Sequence, residues 1–376
     1  MKILILTGKF GMGHHSVAMT IKEKLENEGH KADVVDIVET INPTLSKVLY
    51  SGFNKMVNKA PNLYNKIIEI TDKNAKGTVT ELPMVGVGRR AVAKLVKEGD
   101  YYCVISTIHL ASKYVSSYKE KTGDPITLFT VITDISSKGE WIAPKTDRYF
   151  VASSRVKMEL MQKGISREKI VVSGIPVSAK FSQNKDSQKD KKNILIMGGG
   201  LGLIPIGEYG LSKLNENSNV SVTIITGRNR KLYNQLEGKY KNLHIIGYTN
   251  RVNEYMNKAD VLVSKAGGIC TFEAIRSGTP LIAVNPSLAQ EVVNGQFVEN
   301  KAMGKVVLGN HENVYREINK IMNNPSLLMN MKRNMKSFSD LVKEERLIYE
   351  VNSFDHHRDT CGIASAYGLL QAKESI

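Results

Sequence analysis

Short apolar runs recur along this chain at even intervals, each closed by a glycine or a polar cluster. Runs at 2–6, 32–37, 101–106, 127–132, 147–152 and 169–173 predict strands in the first half, and runs at 193–197, 220–225, 244–246, 260–263 and 281–284 predict them in the second. Brief runs rich in valine and isoleucine fit strands covered on both faces, as in parallel sheets. Between them lie stretches with helical spacing, such as Val17, Ile21 and Leu25 before Gly29, and Ile269, Phe272, Ala274 and Ile275. Strand followed by helix followed by strand implies right-handed crossovers and a parallel sheet. The alternation stops at 180–192, where KFSQNKDSQKDKK has almost nothing to bury, and then restarts. The predicted class is therefore α/β, with two Rossmann-like parallel-sheet domains facing a cleft. Expected boundaries are 1–178 for the first domain, 179–192 for a linker, 193–345 for the second domain, and 346–376 for a helix end and an unassigned tail.

Residues 42–98 depart from this rhythm. Asn42-Pro43-Thr44 predicts a helix start, and Leu45, Val48, Leu49, Phe53, Met56 and Val57 form an apolar stripe behind it. Ala60-Pro61-Asn62 predicts a second start, continued by Leu63, Ile67, Ile68 and Ile70. Lys47, Lys55, Lys59 and Lys66 accompany the aromatic residues Tyr50, Phe53 and Tyr64. Helices of this composition suit a membrane interface, although the same stripe also suits plain core. Residues 78–87 are expected to form a mobile loop beside them, with Arg89-Arg90 adding charge to the next helix.

Composition narrows the function. The 376 residues suffice for two domains, and 41% hydrophobic with 24% charged residues is the balance of a globular protein. A formal net charge of +15 favours polyanionic partners such as phosphorylated substrates or an anionic membrane surface. The lysines are dispersed rather than patterned into a nucleic-acid module, so no nucleic-acid partner is expected. Cys103, Cys270 and Cys361 are isolated, which indicates neither a disulfide framework nor a zinc knuckle and fits a reducing cytoplasm. The chain opens directly on a strand, and no apolar run approaches the roughly eighteen residues of a membrane span. Action on a lipid is therefore expected from the surface.

The densest chemistry lies at 263–294. The run ending at Val263 leads into Ser264-Lys265-Ala266-Gly267-Gly268 and a helix start. Gly267 and Gly268 let the backbone approach a ligand, and the free N–H groups at a helix N-terminus suit a diphosphate. Glu273, one turn into that helix, is placed to accept two vicinal ribose hydroxyls. Gln290, Glu291 and Asn294, read as a loop after the strand at 281–284, can hydrogen-bond sugar hydroxyls. In the first domain, Gly8, Gly11 and Gly13 precede His14 and His15 at the end of the first strand. That spacing is not the dinucleotide fingerprint, and a neutral imidazole at a strand's carboxyl end is suited to remove a proton. Thr107, His109, Thr133 and Asp134 leave neighbouring strands at the same rim, and Trp141 beyond them can pack the loop or stack on a sugar. In the second domain, Gly199 belongs to another glycine loop facing the cleft, Arg228 can pair with a phosphate, and the backbone around Tyr248 can read a pyrimidine edge.

These residues resemble a known family. Gly11-x-Gly13-His14, Pro61-Asn62-Leu63-Tyr64, Thr133-Asp134 with Trp141, Ser264 to Gly268, Glu273 and Gln290-Glu291-x-x-Asn294 look like the diacylglycerol glycosyltransferases, which include processive diacylglycerol glucosyltransferases and monogalactosyldiacylglycerol synthases. The resemblance covers about 1–345. It implies a GT-B fold and inverting transfer of glucose or galactose from a UDP-sugar to diacylglycerol at the cytoplasmic face of the membrane, as a peripheral enzyme without a metal or other cofactor. On that reading His14 is the base and Asp134 orients the acceptor or acts as the rival base. Gly267, Gly268 and Arg228 hold the diphosphate, Glu273 the ribose, and Gln290, Glu291 and Asn294 the sugar. Cys270 stands at the phosphate turn where the family usually carries threonine, and Lys138 replaces a usual histidine. The alternatives are a UDP-N-acetylglucosamine transferase acting on a lipid-linked peptidoglycan precursor, a UDP-sugar epimerase, and a non-catalytic UDP-sugar sensor. The first of these normally has a denser Gly-Gly-His turn, and an epimerase has no need of the lipid-sized surface at 42–98.

Overall fold

The computed structural model describes residues 1–10, 12–74, 84–136, 138–183, 191–199, 202 and 204–354. Six strands, β1 (Lys2–Thr7), β2 (Lys31–Asp36), β3 (Cys103–Ser106), β4 (Thr127–Val131), β5 (Arg148–Val151) and β6 (Ile170–Val172), form one sheet in the order β2-β1-β3-β4-β5-β6. A second sheet of six, β7 (Lys192–Met197), β8 (Val220–Ile225), β9 (Leu243–Ile246), β10 (Val261–Ser264), β11 (Leu281–Val284) and β12 (Gly304–Val307), runs β12-β11-β10-β7-β8-β9. Every strand pair is parallel. The apolar runs are buried on both faces: Ile3 to Leu6 and Val261 to Val263 have no exposed surface. Strand order reverses between β1 and β3 in the first sheet and between β7 and β10 in the second. Open α/β sheets bind ligands at such switch points. His14 and Thr107 flank the first, and Gly199 and the Ser264 to Gly268 turn flank the second.

β12 has no counterpart among the predicted strands. It is short, begins at a glycine and carries Lys305, so its pattern is weak. Gly304 lies so close to β11 that an added Cβ would meet the Leu281 carbonyl oxygen at 2.0 Å.

The helices Pro43–Lys59, Pro61–Asn74 and Val85–Gly99 fill the departure between β2 and β3. Asn42 starts the first by accepting hydrogen bonds from the N–H groups of Thr44 and Leu45, with proline at the first position. The apolar stripe divides between two surroundings. Tyr50 donates to Asp36 at 2.6 Å, and Phe10, Phe53 and Tyr64 stack edge to face, so these residues are inner packing. Val48 is 64% exposed, Leu63 55% and Ile67 43%. Residues 78–83 of the expected mobile loop lie outside the described residues. Its end is corrected, because Val85 already begins a helix that buries Val92 in the cluster containing Leu4, Leu6 and Val104 of the first sheet.

The polypeptide crosses between the domains twice. After β6 it enters the second domain, and after the helix Pro325–Leu341 it returns, where residues 345–354 are helical again. Leu347 and Val351 are buried in the first domain's core, Phe354 packs edge to face on Phe129 at 5.1 Å, and Arg148 pairs with Glu350 at 3.1 Å. Lys24 pairs with Glu344 at the crossing. Among the described residues no helix is long and apolar enough to cross a membrane. Asp355, His356, His357 and Asp359 lie outside them.

Candidate active site

His14 is the second residue of the helix Gly13–Asn27 that follows β1. Its Nδ1 lies 3.1 Å from the Thr107 carbonyl oxygen and 2.8 Å from Thr133 Oγ1. A carbonyl can only accept, so Nδ1 carries the hydrogen and the lone pair sits on Nε2. The Thr107 hydroxyl in turn binds the His14 carbonyl and Thr7 Oγ1, which ties together the exits of β1 and β3. Burial pushes the His14 imidazole down to about 4, and the neighbouring His109 adds to the effect. Burial also lowers His109, against the pull of Glu140 at 4.0 Å. Trp141 packs between the two rings, 6.3 Å from His14 and 5.7 Å from His109. It is 1% exposed, so the stacking platform for a sugar is ruled out and the loop-packing alternative holds.

Asp134 follows β4. Burial raises its carboxyl to about 6, while Lys138 pulls the other way. The second domain meets this point directly. Gly267 is the N-cap of the helix Gly268–Ser277, and a Cβ on Gly268 would lie 2.8 Å from the Thr133 carbonyl oxygen and 3.5 Å from Asp134 Oδ1. A Cβ on Gly13 would lie 2.5 Å from Ile269 Cδ1. The two glycine-bearing loops therefore touch across the cleft, and only the missing side chains permit it. Within that helix, burial lifts the Cys270 thiol to about 12, leaving it neutral with Ser264 Oγ at 3.9 Å. The half-buried Glu273 is lifted to about 8 by burial.

Gln290, Glu291 and Asn294 are not in a loop, as the sequence reading had them, but in the first turns of the helix Ala289–Asn300. Glu291 explains the difference. Its Oε2 accepts from the N–H groups of Ser287 at 3.1 Å and Leu288 at 3.3 Å, which starts the helix from within, and its Oε1 faces Lys265 at 3.9 Å. Asn294 is fully buried, donates to the Ala266 carbonyl at 2.8 Å and hydrogen-bonds Asp134. These two side chains hold the protein's own loops. Gln290 is the one turned to the cleft, accepting from Lys138 Nζ and donating to Tyr64 OH, both at 3.4 Å.

Arg228 and Tyr248 sit at the exits of β8 and β9. Both are exposed, with the guanidinium 5.2 Å from the ring centre. Gly199, at the exit of β7, has a φ of +67° and open space around it. The structure thus gathers His14, Asp134, Gly13, Gly268 and Asn294 at one contact, with Gln290 beside it, and leaves Arg228, Tyr248 and Gly199 along the second domain's rim. Among the described residues no group of three or more His, Cys, Asp or Glu is placed to hold a metal ion. Thr107 and Thr133 were expected only as polar exits at the rim, Tyr64 only among the interfacial aromatics and Lys265 only within the glycine turn, and Asn65 had been given no role from the sequence. Polar residues directly after neighbouring strands were the available signal for the two threonines, whereas the others act through tertiary contacts that leave no local pattern.

Residues 14–177 match the monogalactosyldiacylglycerol (MGDG) synthase family, and residues 193–345 match the glycosyltransferase family 28 C-terminal domain. A processive diacylglycerol beta-glucosyltransferase of Bacillus licheniformis is 29% identical over 370 residues, covering 92% of this chain and 96% of that protein. Among solved structures, MurG of Acinetobacter baumannii superposes with a TM-score of 0.58 at 15% identity, covering 91% of this chain and 98% of that one. The S. aureus MnaA–UDP co-structure gives 0.61 at 15% identity, with 94% and 97% covered. Both likenesses carry the paired parallel-sheet fold. With these two family matches spanning its two domains in order, this chain is a glycosyltransferase, similar over most of its length to the processive diacylglycerol beta-glucosyltransferases.

Proposed function

We propose that the protein transfers glucose from UDP-glucose to the free hydroxyl of diacylglycerol, inverting the anomeric centre. It does so at the cytoplasmic face of the membrane. The observation that carries this reading is His14, held by Thr107 and Thr133 with Nε2 free, at the point where the glycine turn of the second domain closes on Thr133 and Asp134. The acceptor hydroxyl gives its proton to Nε2 as its oxygen bonds to the anomeric carbon, and the bond from that carbon to the diphosphate oxygen breaks. The N–H groups opening the helix Gly268–Ser277 stabilise the charge that develops on the diphosphate, with Arg228 assisting in place of a metal ion. Glu273 accepts the ribose hydroxyls, and Gln290 binds the sugar. Asp134, held by Asn294, orients the acceptor.

The membrane reading draws on the helices Pro43–Lys59 and Pro61–Asn74. Val48, Leu49, Leu63 and Ile67 are exposed beside the exposed Lys47, Lys55 and Lys66, the composition of a surface that enters an anionic interface. The test is transfer of labelled hexose from UDP-glucose and from UDP-galactose to diacylglycerol in anionic vesicles, with wild type and His14→Ala. Lipid-extractable label from UDP-glucose that falls at least about a hundredfold in His14→Ala is expected for the loss of a general base. Label from UDP-galactose alone would change the sugar, and no label with measurable UDP binding would leave a non-catalytic sensor.

A further inference from the structure

The helix Pro61–Asn74 belongs to the first domain, yet one of its faces holds the segment that follows β11 in the second. Asn65 does this with both ends of its amide. Its Nδ2 donates to the Ser287 carbonyl at 2.8 Å, and its Oδ1 accepts from the Ala289 N–H at 2.9 Å. Ala289 is the first residue of the helix Ala289–Asn300, so its N–H has no partner within that helix. Glu291 covers the N–H groups of Ser287 and Leu288, and Asn65 covers the next one from across the cleft. Tyr64 and Lys138 meet Gln290 on either side. At its other end the segment is pinned within its own domain, where Asn285 at a φ of +43° exchanges two 2.9 Å hydrogen bonds with Gly309. The helix that supplies Asn65 also exposes Leu63 and Ile67.

We propose that Asn65 is a positioning residue that couples seating of the Pro61–Asn74 helix on a bilayer to the order of the sugar-binding segment 285–291. This rests on the proposed function, in which Gln290 in that segment receives the donor sugar. A helix floating free in water pulls on the segment through Asn65 as it moves; a helix anchored by Leu63 and Ile67 holds the Ser287 carbonyl and Ala289 N–H still, and Gln290 with them. UDP-hexose then binds tightly only when the protein is on a membrane, which keeps the donor from being hydrolysed where no acceptor is present.

The experiment is the affinity for UDP-glucose, by calorimetry, with and without vesicles of phosphatidylglycerol and phosphatidylcholine that contain no diacylglycerol. Wild type is expected to bind about tenfold more tightly with vesicles, and Asn65→Ala to bind about tenfold more weakly than wild type on vesicles, with no vesicle effect. Co-sedimentation of Asn65→Ala with the vesicles stays at the wild-type level. Asn65→Asp, which keeps the acceptor for the Ala289 N–H, recovers part of the affinity, whereas a residue with a merely structural role would change thermal stability without this rescue. Leu63→Ser with Ile67→Ser loses the vesicle effect and keeps the vesicle-free affinity. A folded Asn65→Ala with wild-type affinity in both conditions overturns the coupling, as does a wild type indifferent to vesicles. If glucolipid is made while Asn65→Ala binds normally, the coupling fails and the proposed function stands. If no glycolipid is made while UDP-glucose binding depends on vesicles and Asn65, the proposed acceptor fails and the coupling stands. A wild type that does not bind UDP-glucose overturns both.

Discussion

Glu273 shows how far a single side chain's surroundings decide its chemistry. Burial lifts its carboxyl to about 8, so in the empty site it is mostly protonated at neutral pH. A neutral carboxyl can accept one ribose hydroxyl well, whereas an ionised one can accept two. On the proposed function, in which Glu273 accepts the ribose hydroxyls, binding of UDP favours the ionised form and expels a proton. The affinity for UDP is expected to rise as pH increases through the range below about 8 and to level off above it. Glu273→Gln should flatten this dependence and weaken binding by about tenfold at pH 8.5, the worth of roughly one charge-assisted hydrogen bond. Calorimetry in two buffers of different ionisation enthalpy would count the released proton, and an unchanged pH profile in the variant would remove Glu273 from the ribose site. His14 is the opposite case. Burial holds it neutral, with Nδ1 tied to Thr107 and Thr133 and the lone pair left on Nε2.

At the scale of elements, the helix start at Gly268 brings the backbones of the two domains close together. A Cβ there would meet a backbone oxygen at 2.8 Å, and backbone yields less readily than the tip of a side chain. Gly268→Ala is therefore expected to leave UDP affinity within a few-fold and to lower kcat about a hundredfold, since a misplacement on the order of 1 Å is enough for that loss. Equal losses in UDP affinity and kcat would instead assign Gly268 to the diphosphate alone. The same element scale separates what was legible in the sequence from what was not. Strands Val220–Ile225 and Leu281–Val284 were readable to the residue, because apolar runs were bounded by Asn219 and Thr226 in one case and by Pro280 and Asn285 in the other. The start of the helix Ala289–Asn300 was not, because Gln290, Glu291 and Asn294 look like loop residues until Glu291 is seen turned back on its own N-terminus. His14 was legible as a strand-end histidine. Its tautomer was not, since that depends on Thr107 and Thr133 from two other strands. Asn65 sits one residue beyond a recognisable Pro-Asn-Leu-Tyr motif, but its partners lie more than two hundred residues away.

For the whole molecule, the return of the chain after the second domain matters as much as the cleft. Residues 345–354 close the first domain's core from the far end of the sequence, with Leu347 and Val351 buried and Phe354 against Phe129. The second domain is thus inserted between two pieces of chain that the first domain holds, and Lys24 with Glu344 fastens the point of return. Opening and closing of the cleft must bend both crossings together, which restricts the motion to a hinge about them. Leu347→Ala should destabilise the first domain, by about 2–5 kcal/mol if the cavity does not collapse, although the residue lies beyond the second domain in sequence. Denaturant unfolding followed by Trp141, which reports only the first domain, is expected to shift to lower denaturant, while UDP binding by the second domain persists. An unshifted Trp141 transition would mean that the last helix is dispensable to the first domain's core.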